Sequence, residues 1–252
     1  MDALNSRVIE GPGTSARQWQ AWEAMHPPTP ISAEALVPQG RRAVVVAPHP
    51  DDEVLGTGGL LMQLSQAGRD ILLVAATDGE ASHPGSTRWP VDTLARVRAQ
   101  ESAAALAVLG VHASTLRLGL ADGGLASQEA SLQASLLRCV RAGDVVFAPW
   151  RLDGHPDHEA VTRAAFTAAR VNCARVVEVP IWGWHWCTPG DPRLPWDHAL
   201  AVALSPTQLQ AKRLAIQQFR SQVEPDPSTG RPAILPPHVI ARQLRPSEVV
   251  LT

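Results

Sequence analysis

Residues 44–59 read VVVAPHPDDEVLGTGG and join a strongly apolar run to a cluster of charge. The three valines are typical of a strand buried in a parallel sheet. His49 follows this run after one proline, and three carboxylates stand where a helix would begin. Ligands of open α/β sheets lie beyond the carboxyl ends of the strands, which makes this a candidate binding edge. Carboxylates that only cap a helix N-terminus explain the same pattern, so both interpretations stay open at this point.

Outward from this stretch, strand and helix patterns alternate four times, which indicates βαβ units around a parallel sheet. The helical patterns include PVDTLARVRAQESAAALAVLG, and the strand patterns include DILLVAATDG and STLRLGL. We expect one domain over residues 1–252. Residues 1–40 form an N-terminal extension with a short helix in SARQWQAWEAM. Residues 223–252 form a Pro-rich C-terminal tail, expected to run as a loop through VEPDPSTGRPAILPPH.

The segment RVVEVPIWGWHW reads as a further strand. Alternate residues of a strand share a face, so Trp182, Trp184 and Trp186 are expected on one side. They would form a platform for a sugar ring or an apolar group, or they would pack in the core. His185 on the opposite face would reach the ligand crevice, or it would be structural.

Composition excludes several classes of function. Apolar residues make up 45 % and charged residues 18 % of the 252-residue chain, with a net charge of −2. This is a globular balance without the basic excess that nucleic acid or an anionic membrane attracts. The three cysteines cannot form a four-cysteine zinc site and are expected to be reduced. The N-terminus lacks a signal-peptide pattern and no apolar run approaches about 18 residues, so we expect a cytoplasmic protein of undetermined oligomeric state.

A second charged cluster closes another apolar strand in DVVFAPWRLDGHPDHEAV, residues 144–161. It brings Asp153, His155, Asp157 and His158 to a loop that enters a helix. A proline-stiffened helix start capped by Asp157 is the alternative interpretation. Two His-Pro-Asp tripeptides at one sheet edge are hard to explain as capping alone. Imidazole and carboxylate are ligands of zinc and similar metals, and a catalytic zinc needs about three of them, so the sequence predicts a metal site.

The blocks PHPDDE (48–53) and HPDH (155–158) resemble the two signature motifs of the PIG-L/LmbE-like family. That family consists of zinc-dependent N-deacetylases that act mostly on N-acetylglucosamine-containing substrates. The resemblance continues through LLVAATDGEAS, RAQESAAALAVLG and LRLGLADGGL and covers roughly residues 42–222. It implies a Rossmann-like three-layer α/β/α sandwich with a mostly parallel central sheet.

The resemblance also implies a role for each motif position, with one Zn²⁺ per chain or another divalent metal in its place. The residues that it implies as metal ligands are His49, Asp52 and His158. Asp51 resembles the general base that takes a proton from zinc-activated water, and His155 the residue that stabilises the transition state or acts as acid. Glu53 is a candidate to orient a ligand histidine. Asp157 and Asp153 are expected to favour the imidazolium form of His155.

Other positions bear on the substrate. Phe219 stands where many relatives carry a histidine before Ser-Gln, and the chain has no tyrosine to assist the oxyanion. Arg88 would hold a phosphate or hydroxyls of the substrate, or it would be a solvated loop residue. The glycines of residues 56–59 lack the lysine and spacing of a phosphate loop, and we expect them to let the helix approach the sheet.

These features predict a metal-dependent hydrolase that removes an N-acetyl or other N-acyl group from a small amino sugar or glycoconjugate. An amidase that acts on a sugar conjugate or a longer N-acyl chain is the nearest alternative. A metal phosphoesterase needs more carboxylate ligands than these motifs offer. A non-catalytic carbohydrate-binding protein would not need every metal and base position to be occupied.

Overall fold

The structure is a computed structural model that describes residues 7–252, so the first six residues of the expected extension lie outside it. Within that range the central sheet has eight strands in the order β1-β7-β8-β6-β5-β2-β3-β4. The strands are β1 (Thr29–Pro30), β2 (Ala43–Ala47), β3 (Ile71–Thr77), β4 (Ser114–Leu120), β5 (Val145–Pro149), β6 (Arg175–Val179), β7 (Ala199–Ala203) and β8 (Ser247–Leu251).

Ten helices accompany the sheet in the described residues. They are α1 (Ala16–Met25), α2 (Ala33–Leu36), α3 (Asp52–Gln66), α4 (Val91–Val108), α5 (Glu129–Cys139), α6 (Pro156–Val171), α7 (Gly183–Trp186), α8 (Pro206–Ile216), α9 (Arg220–Val223) and α10 (Pro237–Gln243). None of them combines the length and the apolar character that crossing a membrane requires. The four predicted strand–helix alternations are present, and α1 begins at the predicted extension helix with Ser15 as its N-cap.

The sheet order places the two motifs side by side. All five residues of β2 are buried, as the valine run predicts, and β2 pairs in parallel with both β3 and β5. From β2 the chain moves outward to β3 and β4, and it returns to β5 on the other flank of β2. The strand order therefore reverses between β2 and β5, which is where open α/β sheets form their ligand crevice.

The glycines of α3 allow close packing against the sheet, as expected. A Cβ on Gly56 would lie 2.7 Å from Val179 Cγ1, and one on Gly59 would lie 2.3 Å from Leu204 Cδ2. Real Cβ atoms do not approach other atoms this closely, so side chains at these positions would push α3 away from β6 and from Leu204, the residue after β7. The close approach holds the start of α3, and with it the first motif, against the sheet edge.

The prediction that PIWGWHW continues a strand is wrong, because β6 ends at Val179 and Gly183–Trp186 forms a helical turn. The buried carboxylate of Asp153 causes the bend. It accepts hydrogen bonds of 2.8 Å from the backbone N–H groups of Ile181 and Gly183, which draws the chain off the strand path. The three tryptophans consequently do not share a face.

Two of these tryptophans are packing residues. Trp184 is 2 % exposed and meets the ring of Trp19 edge-on at 5.0 Å, so α1 of the extension is part of this aromatic cluster. Trp186 stacks on Trp150 at 5.5 Å. Trp182 alone of the three lines the cavity at the strand ends.

The C-terminal segment is a loop only up to about residue 236, and its description as a Pro-rich tail is wrong beyond that point. Residues 237–243 form α10, and β8 enters the sheet antiparallel to β6 and β7. Val249, Val250 and Leu251 are at most 3 % exposed. An apolar run of this kind is more stable between two strands than on the surface.

Candidate metal and catalytic site

His49 leaves the carboxyl end of β2 with its two ring nitrogens facing different carboxylates. Its Nε2 lies 3.2 Å from Asp122 Oδ1 and 3.3 Å from Asp157 Oδ2, while Nδ1 lies 3.2 Å from Asp52 Oδ2. Burial disfavours the charged ring, but the carboxylates outweigh burial and raise the pKa of His49 well above its usual value. When the ring is neutral, Asp122 and Asp157 hold its remaining proton on Nε2, and the Nδ1 lone pair is available to a cation beside Asp52.

His158 lies in the first turn of α6 and is fully buried. Its Nδ1 donates to Asp153 Oδ2 at 2.8 Å, so Nε2 is the nitrogen that offers a lone pair when the ring is neutral. Nε2 lies 3.3 Å from Asp52 Oδ2 and makes no hydrogen bond of acceptable geometry within residues 7–252. A buried nitrogen without a partner is costly, and a metal ion would satisfy it.

Two groups of side chains in the described residues have ligand atoms within 4.8 Å of one another. The first group is His49, Asp52 and His158, and the second is His49, His155 and Asp157. Asp157 already accepts hydrogen bonds from the backbone N–H groups of Gly123 at 2.8 Å and Leu125 at 3.0 Å. The first group therefore fits a divalent ion better, because it contains the Nε2 of His158, which has no hydrogen-bond partner in the described residues and lies close to the other two ligands.

We expect metal affinity to rise steeply with pH. Burial opposes the charge of His158, but Asp52 and Asp153 outweigh it and raise its pKa to about 9, so a metal must displace a proton at neutral pH. His49, whose pKa is also raised, must lose a proton too, and each displaced proton gives about a tenfold gain in apparent affinity per pH unit below its pKa. Zn²⁺ titrations between pH 6 and 9 in buffers of different ionisation enthalpy measure the released protons. An affinity that stays constant over this range would contradict the assignment.

Asp51 stands beside the metal group without belonging to it. Its φ of +138° is strained for a residue with a side chain, and such strain occurs mainly where function requires it. Its Oδ2 accepts a hydrogen bond from Arg98 at 3.0 Å. Burial, with help from the charges of Asp52 and Glu53, raises the pKa of Asp51 to about 8, and Arg98 opposes this shift. A positive charge nearby would favour the ionised form that a general base needs.

Arg98, on α4, was not predicted as a site residue. It is 3 % exposed and also donates to the backbone oxygens of Pro50 at 2.7 Å and Gly79 at 2.9 Å. A Cβ on Gly79, which has a φ of +68°, would overlap the guanidinium, so a glycine is required there. Its position on the helix could have indicated its burial, because Arg98 lies one turn from Leu94 and from Ser102, which are both buried on the inner face of α4.

Glu53 supports the motif differently from the expectation. Its carboxylate accepts hydrogen bonds from the backbone N–H of Asp51 at 3.0 Å and from the hydroxyl of Ser102. It has no hydrogen bond to a ligand histidine within the described part of the chain. Asp157 lies against His49 and Asp153 accepts the hydrogen bond of His158, although the sequence analysis singled out both carboxylates for their effect on His155.

The expected imidazolium form of His155 is wrong. Burial and the neighbouring imidazoles of His158 and His49 lower the pKa of His155 to about 4. The negative charges of Asp52 and Asp157 raise this pKa, but by less than the other causes lower it. Its Nδ1 accepts the backbone N–H of Asp157 at 3.2 Å, so the neutral ring carries its proton on Nε2. His155 lines the cavity as a neutral hydrogen-bond donor.

Asp122 is a second residue that was missed, although it lies in the LADGGL block. Its Oδ1 is 3.2 Å from His49 Nε2, and its Oδ2 accepts the backbone N–H of Ala81 at 2.9 Å. Burial favours its neutral form, but the bonds to His49 and to the backbone lower its pKa to about 2. Asp122 therefore adds a permanent negative charge to the cavity.

Three residues that the sequence analysis considered for substrate binding, Arg88, His185 and Phe219, lie outside the lining of the cavity. Arg88 is exposed and pairs with Glu224 at 3.0 Å, outside the lining of the cavity. His185 is buried against the N-terminal segment, where its Nε2 lies 3.0 Å from the backbone oxygen of Glu10. Phe219 is fully buried and belongs to the hydrophobic core. The cavity itself has a volume of about 290 Å³.

Comparison with known sequences supports a common origin for this site. Residues 44–169, half of the 252-residue chain, match the family described as PIG-L, GlcNAc-PI de-N-acetylase. A 1D-myo-inositol 2-acetamido-2-deoxy-alpha-D-glucopyranoside deacetylase of Rhodococcus erythropolis is 29 % identical over 180 residues, 61 % of this chain and 60 % of that protein. The deacetylase of the same name from Rhodococcus jostii is 27 % identical over 245 residues, 75 % of this chain and 84 % of that protein. The match to the first relative thus spans less than two thirds of its length.

Solved structures confirm the fold. A conserved protein from Thermus thermophilus superposes with a TM-score of 0.59 at 24 % identity, covering 84 % of this chain and 94 % of that one. The predicted Rossmann-like three-layer sandwich with a mostly parallel sheet is therefore confirmed. The matched half of the chain contains both motifs and every residue of the candidate metal group. The chain belongs to the GlcNAc-PI de-N-acetylase (PIG-L) family.

Proposed function

We propose that the protein is a zinc-dependent hydrolase that removes the N-acetyl group, or another N-acyl group, from an amino-sugar-containing substrate. The observation that carries this proposal is the unpartnered Nε2 of His158, which faces Asp52 and His49 while Asp51 stands unligated beside them. Two imidazoles and one carboxylate are the ligand set of a catalytic zinc that keeps one position open. The names of the two relatives, both deacetylases of an acetamido sugar joined to inositol, support this substrate class.

Each residue of the site has a task in this reaction. A zinc ion held by His49, Asp52 and His158 would polarise the amide carbonyl and lower the pKa of a bound water, which becomes a nucleophile once it gives up its proton. Asp51 takes the proton of that water and is the candidate to pass it to the departing amine. Arg98 holds the Asp51 carboxylate in place through its 3.0 Å bond. His155 donates its Nε2 proton as a hydrogen bond to the oxygen on which negative charge develops.

Arg98 is expected to act as a positioning residue. Arg98→Met should lower kcat on the order of a hundredfold through misplacement of Asp51, with a much smaller change in KM and in bound metal. Added guanidinium should restore part of the activity, which a general loss of stability would not allow. The kcat of Arg98→Lys should lie between those of the wild type and Arg98→Met, because an ammonium group keeps the charge but cannot bond three acceptors with one planar group. Equal losses in kcat and metal content would instead assign Arg98 to the fold alone.

The same arrangement disfavours the other functions. A phosphoesterase with two metal ions would need two ligand sets, and the two groups found in the described residues share His49. We further propose that the chain works as one domain, because β1 of the N-terminal extension and β8 of the C-terminal segment join the same sheet. The cytoplasmic location stays a prediction.

The test is amine release by the metal-loaded protein from N-acetylglucosamine and from its inositol glycoside, with metal per chain measured by elemental analysis. We expect one zinc per chain and release of amine and acetate in equal amounts. His158→Ala should lose both the metal and the activity. Phosphate release from a phosphomonoester by protein that holds two metal ions would refute the proposal.

A further inference from the structure

Lys212 and Glu248 form an ion pair in the interior of the protein, outside the lining of the cavity. Lys212 belongs to α8 and Glu248 to β8, and the ammonium nitrogen lies 2.6 Å from Glu248 Oε1. Lys212 is 1 % exposed and Glu248 is 4 % exposed. A buried ion pair often stabilises a fold no more than apolar residues would, because both charges lose their hydration. The hydrogen bonds that this pair makes to α3 give a more specific reason for its presence.

Both side chains bind backbone groups in the interior of α3. The Glu248 carboxylate accepts the N–H groups of Gly59 and Leu60 at 2.7 Å each, and Lys212 Nζ donates to the Leu55 oxygen at 2.8 Å. In a regular helix the N–H of Gly59 bonds to the oxygen of Leu55, four residues earlier. Glu248 thus binds the donor of this link, and Lys212 binds its acceptor. The negative group meets N–H groups and the positive group meets a carbonyl, which is the favourable arrangement at helix ends.

Leu55 connects this ion pair to the candidate base. The backbone N–H of Leu55 donates to the Asp51 oxygen at 2.8 Å, and the Leu55 oxygen accepts the bond from Lys212. Asp51 has a φ of +138°, and a residue with a side chain keeps such a conformation only when its surroundings hold it there. A shift of Leu55 would weaken one of the bonds that hold the Asp51 backbone. The ion pair therefore reaches Asp51 through a single residue.

We propose that Lys212 and Glu248 are positioning residues for Asp51. They fix Leu55 on α3, and Leu55 in turn holds the strained backbone that places the Asp51 carboxylate beside the metal group. The inference rests on the proposed function, in which Asp51 is the base. Loss of the ion pair should misplace this base while every metal ligand and every residue of the cavity lining remains present.

Lys212→Met tests the proposal, because methionine is also a long unbranched side chain but has neither the charge nor the donor. We expect kcat for amine release to fall by a factor on the order of 10 to 100 with KM unchanged, since the placement of the base matters in the transition state. Hydrogen exchange of the Leu55 amide in metal-free protein is a second measurement, and it does not depend on turnover. This amide should exchange faster in Lys212→Met, while the amides of β2 keep their wild-type rates.

The matched control is Arg42→Met, at the opposite edge of the sheet. Arg42 also bonds one carboxylate and one helix carbonyl, namely Asp144 Oδ2 at 2.6 Å and the oxygen of Cys139 at 2.7 Å. Its replacement should leave kcat and the exchange of the Leu55 amide at their wild-type values. Glu248→Gln removes the other charge and keeps the shape of the side chain. It should change kcat and Leu55 exchange in the same direction as Lys212→Met, and it decides the test if Lys212→Met does not fold.

Two results would overturn the inference and leave the proposed function standing. One is a wild-type kcat in the folded variants. The other is a loss of kcat in which the amides of Leu55 and of β2 exchange faster together, because the ion pair would then serve the stability of the whole fold. If the wild-type protein releases no amine, the proposed function fails, and the exchange measurement alone decides whether the pair holds Leu55. Selective faster exchange at Leu55 would support that contact, and unchanged exchange would refute it.

Discussion

Asp51→Asn is expected to lower kcat by a factor of about 10² to 10⁴ while the protein keeps its metal. Asparagine has the shape of aspartate and tolerates unusual backbone angles, so it should accept the φ of +138° at this position. It cannot take a proton from water, and the proposed reaction then lacks its base. The measurement combines kcat for amine release with zinc content of the same sample.

The matched control for this variant is Asp70→Asn, at an exposed carboxylate before β3 on the opposite edge of the sheet. It makes the same chemical change without touching the site, and we expect wild-type turnover. If Asp51→Asn instead lost the metal and Asp52→Asn kept it, the roles of the two adjacent residues would be exchanged. Turnover that stays at the wild-type level in Asp51→Asn would remove this residue from the mechanism.

Asp52→Ala is expected to weaken zinc binding by more than about a hundredfold, which exceeds the usual effect of losing a residue that only supports a ligand. Asp52 Oδ2 lies 3.2 Å from His49 Nδ1 and 3.3 Å from His158 Nε2. Its removal takes away one of the three ligands, and it also takes away the negative charge that lies between the two histidines. Competition with a chelator of known affinity measures the change. Activity should fall in proportion to the metal-free fraction.

This variant should also change the pH dependence of stability in the metal-free protein. Burial favours the neutral form of Asp52, but the two histidines outweigh it and lower its pKa. A lowered carboxyl pKa stabilises the fold above the unfolded value of about 3.9, and this contribution is lost as the pH falls. The raised pKa of His158, about 9, adds stability that disappears as the pH rises through that value. Thermal unfolding at pH 7 should therefore show a larger loss for Asp52→Ala than at pH 10, and equal losses would contradict the pairing.

Much of the fold and the central part of the site follow from local patterns. The valine run of β2 could only be buried, and glycines at positions 56 and 59 indicated a helix packed closely on a sheet. Two His-Pro-Asp tripeptides, each at the end of an apolar strand, had to meet once those strands were neighbours in one parallel sheet. The meeting of the two clusters was predictable for this reason, whereas the choice of His49, Asp52 and His158 as the ligands came from the resemblance to the family.

Other features depend on partners far away in the chain, and local patterns carry little information about them. Arg98 reaches Asp51 across 47 positions, and Asp153 bends the chain at Gly183 across 30 positions, so neither effect has a nearby signal. The neutral state of His155 results from burial beside two other imidazoles, which outweighs the carboxylates that its sequence neighbours suggested. The strand β8 became recognisable only between β6 and β7, because a short apolar run such as residues 249–251 predicts burial without predicting its place in the sheet. Periodicity and the chemistry at the strand ends are local features, so the amino-acid sequence alone predicted them. Charge states and backbone bends depend on desolvation and hydrogen bonds that exist only once distant segments are packed together.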